Sequence, residues 1–134
     1  IQSHPRTGAD ILNRMGCGRT LALAALYHHC YYNGKGGYPN DVPSCPPEIK
    51  GIVDALSVAD SLDAATDNIG RCYNLAKPFR TLLEELRAQS GTRYALNVVA
   101  LFEDERFCRQ LAENTDAKRK RVYLQVYHAG SEEK

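Results

Sequence analysis

Apolar positions recur with helical spacing along almost the whole chain. The first segment, from Ser3, carries Ile11, Leu12 and Met15 and stops at Gly16-Cys17-Gly18. Ser3 suits the capping position, and Pro5 an early position whose N–H would have no partner in the helix. Residues 19 to about 29 are apolar nearly all round, with Leu21, Leu23, Leu26 and several alanines, which predicts a buried helix. A loop dense in breakers follows over 31–47, with Asn33-Gly34, Gly36-Gly37, Pro39, Pro43 and Pro46-Pro47. Residues 48 to about 66 read as one long helix, broken at Asp67-Asn68-Ile69-Gly70. Residues 78–89 are amphipathic through Phe79, Leu82, Leu83 and Leu86, and Ser90-Gly91 closes them. Two shorter helices are expected over 96–102 and 104–114. Residues 122–127 fit a helix or a short strand; no other segment offers a strand partner, so a helix is expected. The pattern predicts an all-α fold of about five to seven helices in one domain spanning 1–134.

Composition narrows the class. A chain of 134 residues, 43% hydrophobic and 25% charged, suits one soluble globular domain. With 17 Lys+Arg against 16 Asp+Glu, the net charge of +1 gives no general attraction for nucleic acid or an acidic membrane surface. No stretch approaches the ~20 apolar residues of a bilayer span. Cys17, Cys30, Cys45, Cys72 and Cys108 are widely spaced and contain no Cys-x-x-Cys pair, which points to a reducing, cytoplasmic setting. Gly34-Lys35-Gly36-Gly37 lacks the spacing of a phosphate-binding P-loop. The basic run 118–121 reads as a solvated face.

The long helix carries acids where apolar residues are expected. At 100° per residue, Ile49, Val53 and Leu56 fall within about 40° of Asp60, and Ile52 within about 80°. Asp63 and Asp67 lie on that side too, while Lys50, Asp54, Ser57 and Ser61 form the expected polar wedge. A carboxylate turned inward is costly without a cation or several donors. Two readings fit: the stripe surfaces near the helix end and leaves the acids solvated, or Asp60 meets a metal with Asp63 supporting it from behind. Three of the four histidines, His4, His28 and His29, flank the apolar second segment. Neighbouring residues on a helix diverge by about 100°, so His28 and His29 are expected to serve two adjacent ions rather than one. Cys30 ranks below them as a ligand, since an isolated cysteine is usually a small buried hydrophobe.

The order of motifs resembles a known family. Ser3-His4-Pro5-x-x-Gly8-Ala9-x-Ile11-Leu12, His28-His29, Asn33-Gly34-Lys35-Gly36-Gly37-Tyr38-Pro39 and Val58-Ala59-Asp60-x-x-Asp63-Ala64 together are similar to the HD-GYP branch of the HD phosphohydrolases. Ser90-Gly91-Thr92-Arg93-Tyr94 resembles a turn that follows in that family. The likeness runs over about 3–102, leaving 103–134 as a helical extension. It implies a helical domain with two or three divalent metal ions, iron or manganese as a rule and zinc or nickel as alternatives. The implied activity is hydrolysis of cyclic di-GMP or a related cyclic dinucleotide. The implied metal ligands are His4, His28, His29 and Asp60, with Asp63 and Asn33 behind them. Lys35, Gly37 and Tyr38 would border the substrate, and Arg71 or Lys77 would meet its phosphates.

The departures shape a second expectation. Cys30 stands where the family has Glu, and Asn33 where it has Asp. The loop carries one more residue before Tyr38, and Asp67-Asn68-Ile69-Gly70-Arg71-Cys72 replaces an Asp-Arg-Pro-Tyr-Arg stretch. The His-Asp doublet that names the family would lie upstream of His4. Partial metal occupancy and no useful turnover are therefore expected of this chain alone. The alternative is a non-catalytic module that binds a cyclic dinucleotide or docks on a partner such as a diguanylate cyclase domain. A third reading is a helical interaction domain with incidental histidines. Self-association, or a partner covering the apolar side of 19–29, is also expected.

Overall fold

The computed structural model describes residues 2–67 and 76–132, with backbone only for 116, 117 and 128–132. Among these residues there are seven α-helices and no strands: α1 (His4–Arg14), α2 (Arg19–Tyr27), α3 (Pro47–Thr66), α4 (Phe79–Ala88), α5 (Leu96–Val99), α6 (Glu105–Glu113) and α7 (Arg119–Glu132). A 3-10 turn (Ala100–Glu103) joins α5 to α6, and a π-helical turn (Asn114–Lys118) joins α6 to α7. The all-α expectation holds, including the helix over 122–127.

Local chemistry explains the boundaries. Pro5 sits buried in the first turn of α1. Ser3 departs from the expected side-chain cap: it contributes its carbonyl, which accepts from the Thr7 N–H at 3.1 Å and the Thr7 hydroxyl at 3.2 Å. Asp104 is a full side-chain cap of α6, taking the N–H groups of Arg106 and Phe107 at 2.8 and 3.2 Å.

Two apolar clusters form the interior, and α3 belongs to both. Its first half, through Ile49 and Val53, packs with Tyr27, Leu23 and Leu26 of α2 and with Val42 and Cys45 of the loop. Its second half, through Val58 and Leu62, packs with Leu82 and Leu86 of α4, Tyr94, Val99 and Phe102. The covered face therefore rotates along the helix. This corrects the expected wheel: Asp54 and Ser57, assigned to the polar wedge, are buried at 8%, whereas Leu56 and Ile52 are exposed at 38% and 50%. A single stripe cannot describe a helix that changes partners midway. Asp54 is held by Lys50 one turn back, and the Tyr94 hydroxyl donates to Ser61 Oγ at 3.0 Å.

The burial expected for 19–29 is also partial. Ala22, Ala24 and Tyr27 are buried, but Leu21 is exposed, as are Ile11 and Met15 of the adjoining α1. In the basic run, Arg119 is largely covered. Its guanidinium meets Asp63 at 2.7 Å and Asp67 at 3.9 Å, tying α7 to the end of α3. No helix among the described residues is long and apolar enough to cross a membrane.

Candidate metal centre

Three imidazoles from two neighbouring helix ends meet at one point. His4 opens α1. The helix that precedes His28 and His29 ends at Tyr27, so His28 takes the cap position and His29 the following turn. That early stop overturns the expected divergence of the pair. Outside regular helix, their rings lie tilted with centroids 4.1 Å apart. His4 Nε2 stands 3.1 Å from His28 Nε2 and 3.1 Å from His29 Nε2. One ligand nitrogen from each ring falls within 4.8 Å of the others. Nitrogens sharing one ion with bonds of about 2.0–2.1 Å stand about 3.0–3.4 Å apart. The spacing on His4 is of that size.

Hydrogen bonding orients the rings. His28 Nδ1 lies 2.7 Å from the Ala25 carbonyl, which can only accept, so Nδ1 carries a proton there and Nε2 is the nitrogen turned to the meeting point. Burial pushes His29 down to about 4, the His28 ring adds to this, and the Asp60 carboxylate opposes it. His29 is therefore a neutral base near pH 7. A cation at the meeting point would lie within reach of all three rings.

Asp60 stands beside this group rather than in it: it lies on α3 at the change of partner, partly exposed, with Oδ2 3.8 Å from His29 Nε2. Three imidazole nitrogens with a carboxylate close by are a donor set suited to zinc, iron, manganese or nickel. Among the described residues no other group of three such side chains converges in this way.

The breaker-rich loop closes over one side. Tyr38 lays its ring against His29, centroids 4.5 Å apart and 33° between planes, with His4 at 6.2 Å. Its N–H donates to the His29 carbonyl at 3.2 Å. Burial raises the Tyr38 hydroxyl pKa, and Asp60 raises it further. Gly37 permits this approach. Its φ is +81°, and a Cβ there would stand 2.0 Å from the His29 carbonyl oxygen.

Other expected site residues are placed elsewhere. Asp63 is turned out to Arg119, so support of Asp60 from behind is not what its carboxylate does. Asn33 is exposed and shapes the loop, its Oδ1 accepting from the Lys35 N–H at 2.9 Å. Lys35 is exposed, and Lys77 pairs with Glu85 at 2.6 Å, away from the histidines. Arg71 lies outside the described residues. Cys30 points into the loop, with Sγ 3.6 and 3.5 Å from the carbonyls of Tyr38 and Pro39. It lines, with Cys45, Tyr27 and Tyr32, a cavity of about 360 Å³ under residues 31–45. Burial raises the Cys30 thiol pKa, which keeps it protonated and a poor ligand.

Arg93 is the charge that sequence reasoning passed over. It sits half-buried in the turn after α4, its guanidinium 5.0 Å from the centroid of Tyr94 and 5.9 Å from that of Tyr31. Its positive charge is the smallest of the influences on His29 and on Tyr38, lowering both. A basic residue inside the Gly91-Thr92-Arg93-Tyr94 turn was the available signal. Compared with protein-family models, curated proteins and solved structures, the chain matches none.

Proposed function

We propose that this chain holds a divalent transition-metal ion on His4, His28, His29 and Asp60, as part of a phosphodiester-hydrolysing domain of the HD-GYP kind acting on a cyclic dinucleotide. The observation that carries the reading is the meeting of three imidazole nitrogens with a carboxylate beside them. An ion bound there would lower the pKa of a water and polarise a phosphoryl oxygen. His28, fixed by the Ala25 carbonyl, keeps its lone pair aimed at the centre. His29, held neutral by burial, stays a ligand rather than a competing cation. Tyr38 covers the ring of His29 and limits the approach of solvent from the loop side.

A two-ion version of this chemistry needs ligands beyond the one cluster that the described residues assemble. The chain by itself is therefore proposed to bind metal and to turn over poorly. One observation favours the non-catalytic alternative: the thiol of Cys30, at the position where the family carries Glu, faces the loop and brings no charge to the centre.

The test is metal content followed by product analysis. Untagged protein equilibrated with Mn²⁺ and desalted is expected to retain close to one ion per chain by elemental analysis. His28→Ala should weaken retention by more than the ~10–100-fold typical of losing a group that merely supports a ligand. Incubation with cyclic di-GMP separates the two forms of the reading: linear product means an enzyme, bound and unchanged dinucleotide a sensor. No transition metal in either protein would overturn both.

A further inference from the structure

We propose that Arg93 is the phosphate-contacting cation of this centre, the role that sequence reading gave to Arg71 or Lys77. The assignment rests on the metal-centre reading above and adds to it the residue that meets the substrate's anionic oxygens.

Three observations converge. First, the position is built rather than incidental. The backbone carbonyl of Arg93 accepts from the Tyr32 N–H at 3.0 Å, and that of Thr92 from the Asn33 N–H at 3.0 Å. These bonds fasten the turn after α4 to the loop that begins two residues beyond His29. The turn itself is closed by the Gly91 N–H donating to the Tyr94 carbonyl at 2.8 Å. Second, the side chain is oriented without being neutralised. Its guanidinium lies near the faces of Tyr31 and Tyr94, and among the described residues no carboxylate forms an ion pair with it. Aromatic faces hold a cation in place and leave its in-plane N–H donors available. Third, the aromatic brackets connect to the centre. Tyr31 lies two residues after His29, and the Tyr94 hydroxyl bonds Ser61, the neighbour of Asp60, at 3.0 Å.

A rigid guanidinium beside a metal site matches the fork geometry of a phosphate. Lys77 is unsuited because Glu85 takes its ammonium at 2.6 and 2.8 Å. The ligand class is thus a phosphomonoester or phosphodiester, whose anionic oxygens Arg93 would contact.

Inorganic phosphate is the probe, titrated calorimetrically into Mn²⁺-equilibrated protein. Arg93→Met keeps much of the side chain's bulk between the tyrosines and removes the charge. It is expected to weaken phosphate binding about tenfold or more, while Mn²⁺ is bound at least as tightly as by the wild type, since a neighbouring positive charge is gone. Arg93→Lys should recover part of the loss, because charge returns without the fork. Undiminished Mn²⁺ affinity in each variant reports an intact histidine cluster, so a folding defect cannot imitate the result. Equal phosphate affinity in wild type and Arg93→Met would overturn the assignment and leave the metal reading standing. A wild-type protein that takes up no Mn²⁺ would overturn both.

Discussion

Gly37→Ala isolates the contact that seats the loop on the histidine cluster. A Cβ at this position would stand 2.0 Å from the His29 carbonyl oxygen and 2.9 Å from Cys30 Cα, both backbone atoms that no rotamer change can move. The residue would also have to hold a φ of +81°, which costs an L side chain roughly 1–2 kcal/mol. Relieving the clash means opening the Tyr38 N–H to His29 carbonyl bond, worth about 1 kcal/mol net. The sum is about 2–3 kcal/mol, or about 10 °C in Tm for a domain of this size. Gly34→Ala is the matched control. Its φ is +71°, but nothing lies within 4 Å of the added Cβ. It should lose only the backbone part, about 1–2 kcal/mol. Thermal unfolding by circular dichroism measures both, and elemental analysis gives Mn²⁺ retention. Gly37→Ala should lose metal as well as stability, because the displaced strand of loop carries Tyr38 off His29. Equal Tm losses in the two variants, or full metal retention in Gly37→Ala, would refute the reasoning.

Three further outcomes follow from the same geometry. Leu86, 1% exposed at the centre of the larger cluster, should cost about 2–5 kcal/mol when cut to Ala, read as a lower urea midpoint with metal stoichiometry retained in the native baseline. Asp60→Asn should weaken Mn²⁺ binding by about tenfold or more. Asp63→Ala should leave Mn²⁺ affinity unchanged and cost at most ~1 kcal/mol, because its carboxylate is mostly exposed and serves Arg119. A larger effect on metal from Asp63 than from Asp60 would reverse the roles given to the two acids.

Helix positions were largely legible because Gly, Pro and apolar spacing act locally. Which face each helix buries was not. On α3 the wheel placed Asp54 outside and Leu56 inside; the helix serves α2 with one half and α4 with the other, and no local pattern records that exchange. The histidines were legible as a group, yet their convergence depended on where α2 stops. Extending that helix by two residues separated rings that the structure brings together. Asp63 and Arg119 are 56 residues apart, and the turn carrying Arg93 is tied to residues 32 and 33, far earlier in the chain. Such pairings are products of tertiary packing, so the sequence supplied the participants without their partners.

The bond from His28 Nδ1 to the Ala25 carbonyl does two jobs with one proton. It covers a carbonyl that the end of α2 would otherwise leave open, and it decides which nitrogen is left bare. A replacement at 28 must therefore satisfy a backbone acceptor three residues back and, from the opposite edge of the same planar group, donate an electron pair. Asparagine or serine can meet the first demand and glutamate the second; an imidazole spans both edges. Under the proposed chelation, a sound helix terminus and a bare ligand nitrogen thus depend on one side chain.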